Sequence, residues 1–162
     1  MATRIIGIDP GTGILGFGVI EIDSKGKAHL VDGGVIRTPV KEDDAVRLMT
    51  IYDELTDIIT STKPQKMSVE KLFFAQNVTT AMTVAQARGV VLLTGQQNGL
   101  ELYEYTPLQI KQALTGYGRA DKKQIQEMVR VILGLNEIPK PDDCADALAA
   151  AICCSMTSSF SG

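Results

Sequence analysis

One apolar, β-branched run that ends on a carboxylate constrains this chain more than any other stretch. Ile5-Ile6-Gly7-Ile8-Asp9 is followed by Pro10-Gly11-Thr12-Gly13, and a second run begins at Ile14-Leu15-Gly16-Phe17-Gly18-Val19-Ile20. The first run predicts a buried strand and Pro10-Gly11 a turn, so Asp9 stands where a core strand meets the surface. A carboxylate there costs desolvation unless a metal, a cation or backbone donors compensate it. Taken alone, Asp-Pro-Gly is better explained by an aspartate that caps its own turn, so the weight of Asp9 depends on what else the chain brings to it.

Gly11, Gly13 and Gly16 fit the G-x-G-x-x-G spacing of a dinucleotide loop. That fingerprint needs a helix after the glycines, because the pyrophosphate sits on the helix N-terminus. Phe17-Gly18-Val19-Ile20-Glu21-Ile22 reads instead as a strand, and Asp9 would repel a pyrophosphate, so the unit is a hairpin. Asp9-Pro10-Gly11-Thr12 also fits the Asp-x-Gly-Thr turn of the sugar-kinase and actin superfamily. Those proteins need two domains and a second phosphate loop, which 162 residues cannot hold.

The remaining segments predict a single α/β domain over residues 1–154 with a frayed polar tail over 155–162. The strands are Arg4 to Asp9, Phe17 to Ile22, His29 to Thr38 with a bulge at Gly33-Gly34, Met67 to Glu70, and Leu102 to Tyr105. Between them lie a helix Ala45 to Thr62, capped by Asp43-Asp44, with Val46, Met49, Tyr52, Leu55, Ile58 and Ile59 at helical spacing, and a helix Val78 to Gln97. Three further helices follow: Thr106-Pro107 to about Leu114, Lys122 to Leu133 behind Asp121, and a last, alanine-rich one opened by Asp142. This order predicts a mixed five-stranded sheet, a three-stranded antiparallel meander plus parallel strands, flanked by helices. The helix Val78 to Gln97 is apolar around most of its circumference and carries small residues at Ala81, Ala85 and Gly89, so one side needs a partner, most simply a second copy of the chain.

Hydrophobic residues make up 44% of the chain and charged residues 22%, with a net charge of −3. No segment reaches the roughly 18 apolar residues of a membrane span. Three cysteines, two of them adjacent, give neither a disulfide framework nor zinc spacing, and the N-terminus leads straight into the first strand. These features point to a reducing, cytoplasmic setting. The lone histidine, His29, is expected to be structural.

Carboxylates recur at element ends: Asp9 after the first strand, Glu70 after the fourth, and Asp143 with Asp146 on the last helix. Residues three apart share a helix face, yet Asp142 and Asp146 are spaced equally well, so periodicity leaves Asp142 and Asp143 both open. If the first and fourth strands are central neighbours, their carboxyl ends lie side by side. Converging carboxylates cannot all stay ionised without counter-charge, and hard divalent cations such as Mg²⁺ or Mn²⁺ supply it. Two ions about 4 Å apart can hold a phosphodiester, activate water and stabilise a leaving oxygen. Lys111, Arg119, Lys122, Lys123 and Arg130 form a basic stretch suited to phosphate contacts, and Phe73-Phe74 offers an aromatic that could stack on an unpaired base. The negative net charge is a weak objection, since the four carboxylates account for it.

Ile8-Asp9-Pro10-Gly11, Val69-Glu70 with Phe73 and Asn77, Gln86-Ala87-Arg88-Gly89, and Asp143-Cys144-Ala145-Asp146-Ala147-Leu148-Ala149 together resemble the RuvC-type Holliday junction resolvases of bacteria, from Ile5 to about Ile152. The resemblance implies an RNase H-like fold, a homodimer, and Mg²⁺-dependent endonuclease action on four-way DNA junctions by paired symmetric nicks. It implies Asp9, Glu70, Asp143 and Asp146 as catalytic metal ligands, choosing Asp143 over Asp142, and two ions per site. It further implies Phe73 as a base-stacking residue, Lys111 and Lys122 as functional basic residues near the site, and a branch-migration complex of the RuvA and RuvB type as partner. The alternatives are a related nuclease acting on RNA or other branched substrates, or a module that binds junctions without cutting them.

Overall fold

A computed structural model describes residues 2–71 and 78–158, and among these described residues there are five strands and five helices. The hairpin of β1 (Thr3–Pro10) and β2 (Ile14–Ile22) continues antiparallel into β3 (Ala28–Arg37). A crossover through α1 (Asp44–Thr62) then brings β4 (Lys66–Glu70) beside β1, in parallel. After α2 (Val78–Gln97), β5 (Glu101–Tyr105) adds in parallel to β4, which gives the order β3-β2-β1-β4-β5. The chain closes with α3 (Pro107–Thr115), α4 (Lys122–Leu133) and α5 (Asp142–Thr157). The predicted mixed sheet and the neighbouring of the first and fourth strands both hold.

The two-residue period of β1 sorts its side chains between two cores. Ile6 and Ile8 pack with Leu15, Phe17 and Val69 beneath α1 and α2. Ile5 faces the other way, into the core built by α3, α4 and α5. Gly7 shares that second face: a Cβ on it would lie 1.9 Å from the carbonyl oxygen of Ala147 in α5. Gly16 and Gly18 on β2 would meet the carbonyl oxygen of Asp143 at 2.0 Å and Leu148 Cδ2 at 2.4 Å. Helix α5 therefore lies directly on the backbone of β1 and β2. Its alanines Ala145, Ala147, Ala149, Ala150 and Ala151 are buried, and the hydroxyl of Ser68 on β4 donates to the Ala150 carbonyl at 2.6 Å.

Four local expectations need correction. The buried stripe of α1 is Arg47, Ile51, Leu55, Ile59 and Thr62, whereas Val46 and Met49 are 50% and 66% exposed. Two apolar stripes overlap on this helix, and the one containing Arg47 meets the sheet, its guanidinium 3.6 Å from Asp44. Asp43 precedes α1 but makes no capping hydrogen bond with its side chain. The bulge in β3 falls at Val31, since Val19 pairs with Asp32 and Ile20 with Leu30. Gly33 and Gly34 stay in register and are small for packing reasons: a Cβ would come within 2.9 Å of Cys144 Sγ and 3.2 Å of the Phe17 ring. Finally, α5 runs to Thr157, into the stretch expected to fray, and Lys66 Nζ donates to Ser158 at 3.0 Å.

Candidate active site

Strand register puts the first two carboxylates together. In the parallel β1–β4 pair, Ile8 sits opposite Val69, so Asp9 and Glu70 follow one step on. Period two turns both toward α5, Asp9 with Ile5 and Gly7, Glu70 with Ser68. The first turns of α5 lie above them because glycine lets the helix close onto the sheet. Asp143 rests over Gly16, which pairs with Asp9 across the hairpin. Asp146, one turn on, lines a pocket of about 260 Å³ with Glu70, Lys111, Lys122, Pro107 and Ile110.

The electrostatics follow from this crowding. Burial first, then the charges of Glu70 and Asp146, pushes the Asp9 carboxyl up to about 9, with further contributions from its hydrogen bond to Glu70 and from Asp143. Crowding of this kind favours one proton on the Asp9–Glu70 pair over two bare carboxylates. Glu70 is also raised, chiefly by burial, while the Asp9 hydrogen bond, Lys122 and Lys111 draw it back. Burial raises Asp146, opposed most strongly by Lys122. Asp143 and Asp146, rather than Asp142, are the helix carboxylates that bear on Asp9.

Asp142 faces α4 rather than Asp9. It lies 3.2 Å from Lys122 Nζ and accepts from Gln126 Nε2 at 3.1 Å. Lys122 Nζ is 3.7 Å from Asp146. Helix α4 is set for this by its capping box, in which Asp121 accepts from the Gln124 N–H and the Gln124 side chain accepts from the Asp121 N–H.

The donors here are all carboxylate oxygens, part-buried and short of positive charge, and such a set suits a hard divalent cation. Among the described residues no group of three or more His, Cys, Asp or Glu side chains already forms a ready-made cation site. The carboxylates would have to turn toward an ion, displacing the proton held by the Asp9–Glu70 pair.

Of the basic residues expected to serve the site, Lys111 and Lys122 reach the pocket. Arg119 is exposed on the segment before α4. Lys123 lines a separate groove with Asp121 and Glu127, and Arg130 is tied to Glu127 and to the Leu135 carbonyl. Phe73 lies outside the described residues. Sequence reasoning missed Gly7, Gly16 and Gly18 as the residues that admit α5. Their signal was glycine at alternate positions in β-branched strands, matched by the alanines of the last helix.

Comparison with known proteins now adds its own findings. The family model described as crossover junction endodeoxyribonuclease RuvC matches residues 5–154. The crossover junction endodeoxyribonuclease RuvC of Heliobacterium modesticaldum is 57% identical over 150 residues, covering 93% of this chain and 92% of the relative. The Thermus thermophilus RuvC structure superposes with a TM-score of 0.92 at 37% identity, covering 98% of this chain and 97% of that one. T. thermophilus RuvC in complex with Holliday junction substrate gives a TM-score of 0.93 at 36% identity, over 98% and 96% of the two chains. The fold is the RNase H-like one of these resolvases. With the family model spanning both strand-end carboxylates and the acidic start of α5, the chain belongs to the RuvC family of crossover junction endodeoxyribonucleases.

Proposed function

We propose that this chain hydrolyses phosphodiesters at four-way DNA junctions through Asp9, Glu70, Asp143 and Asp146, as a homodimer that makes paired symmetric nicks in recombination and repair. The observation that carries this reading is the side-by-side placement of Asp9 and Glu70 beneath the acidic start of α5. Asp9, Glu70, Asp143 and Asp146 would hold the Mg²⁺ ions, two per site. The ions, when bound, would supply positive charge to the phosphate and acidify a water.

The chain's own residues do the rest. Glycine contacts under α5 fix the backbone that carries the carboxylates against the sheet, so that side-chain rotations alone would gather them around an ion. Lys122 and Lys111, at the mouth of the pocket, stabilise charge on the non-bridging phosphate oxygens or orient the attacking water. Phe73, Arg119 and Lys123 are proposed as wider DNA contacts.

Support for the dimer comes from α2. Val78, Met82 and Leu93 are 77%, 60% and 53% exposed, and with exposed Ala85 and Gly89 they form one apolar stripe at helical spacing. A two-fold dimer would offer two sites to a junction of matching symmetry. A cytoplasmic setting and a branch-migration partner of the RuvA and RuvB type complete the proposal. Among the described residues no helix is long and apolar enough to cross a membrane.

The test is a synthetic four-way junction incubated with and without Mg²⁺. The unaltered protein should nick opposed strands only with the ion. Asp9→Asn should lose cleavage by at least about a hundredfold while binding the junction as before. Normal cutting by Asp9→Asn would remove Asp9 from the mechanism.

A further inference from the structure

We infer that Asp142 is a positioning residue for Lys122, one that shares the ammonium with Asp146 and so loosens its hold there in favour of a divalent cation. The inference rests on the metal-ligand reading of Asp146 given above. Lys122 Nζ stands between two carboxylates four residues apart on α5, nearer to Asp142 (3.2 Å) than to Asp146 (3.7 Å). Asp142 is itself held: its Oδ1 accepts from Gln126 Nε2 at 3.1 Å, and its Oδ2 is left facing Lys122. Lys122 and Gln126 lie one turn apart on α4, so two residues of one helix face clasp a single carboxylate of the next.

The side chains of Lys122 and Asp142 are 57% and 64% exposed, and an ion pair so open adds little to folding stability. Its consequence lies in the site. Without the Asp142 charge, the nearest carboxylate to Lys122 is Asp146, and the ammonium would compete there more strongly with a metal ion. Were Asp142 only a solvated aspartate at a helix start, its loss would weaken cation binding through its distant negative charge alone, whatever Lys122 does.

A double-mutant cycle separates these two accounts. Asp142→Asn keeps an acceptor for Gln126 and removes the charge. Mn²⁺ binding to the full chain, measured by titration calorimetry, should weaken about five- to tenfold in Asp142→Asn. In a Lys122→Met background the same substitution should change Mn²⁺ affinity less than about twofold. Equal losses in both backgrounds, or no loss in either, would overturn the inference while leaving the metal site standing. Failure of the unaltered protein to bind Mn²⁺ would sink the metal-site reading itself, and this inference with it.

Discussion

On the α5 side of the sheet, helix backbone lies against strand backbone; on the α1 and α2 side, branched side chains fill the gap. The first contact depends on Gly7, Gly16 and Gly18, where a single added carbon would overlap α5 atoms. The second is built from Ile6, Ile8, Leu15, Phe17, Met67 and Val69 against Ile51, Leu55, Ile59 and Val91, residues of a kind that tolerate volume-conserving exchange. The side with no tolerance is the side that carries Asp9, Glu70, Asp143 and Asp146. Rigid placement of four carboxylates and an unforgiving helix contact are thus one feature. The opposite side packs through side chains and presents Met82 and Leu93 outward.

The sharpest way to break this contrast is to add the missing carbon. Gly7→Ala would place a Cβ 1.9 Å from a backbone oxygen, which no rotamer change can relieve. We expect a loss of about 3 kcal/mol or more, read by urea denaturation. Gly89→Ala on α2 meets nothing within 4 Å and should change monomer stability by less than about 1 kcal/mol, in the stabilising direction. A Gly7→Ala loss as small as the Gly89→Ala change would mean that α5 can shift and that the site is not held as described.

A second effect concerns pH without divalent ions. The Asp9 carboxyl is raised to about 9 in the folded chain, against roughly 3.9 when unfolded. The folded state therefore binds the extra proton, and stability present at low pH is lost as pH rises across that window. Melting temperatures in chelator should fall from pH 5 to pH 9. Asp9→Asn should flatten that slope, and so should added Mg²⁺, by supplying the missing counter-charge. An unchanged slope in Asp9→Asn would place the crowding elsewhere.

The smallest effect on folding is expected at the exposed stripe of α2. Leu93→Glu should alter monomer stability by no more than about 0.5 kcal/mol, yet shift the protein from dimer to monomer in sedimentation. A dimer that persists unchanged would move the interface off α2.

Much of this molecule was legible in its residues. The β-branched runs, the Pro-Gly turn and the capping residues Thr106 and Asp121 located the elements within a residue or two, apart from the start of β2 and the end of α5. Asp9 and Glu70 stood out because each ends an apolar strand. The inward stripe of α1 was not legible, because Val46, Met49 and Tyr52 are as apolar as the residues that are buried, and the competing stripe includes Arg47. Nor was the bulge, since glycines that serve close packing look like glycines that serve a kink.

What the sequence by itself determined is local: hydrogen-bonding period, turn chemistry, and which carboxylates end strands, all set within a few residues by backbone sterics and solvent exclusion. Helical spacing left Asp142 and Asp143 both open, the family resemblance favoured Asp143, and the tertiary structure supplies the physical reason their surroundings differ. Both open the same helix turn, and only the docking of α5 on Gly16 turns one toward Asp9 and leaves the other to Lys122 and Gln126. Such a choice depends on contacts between segments more than a hundred residues apart, and no local pattern encodes it.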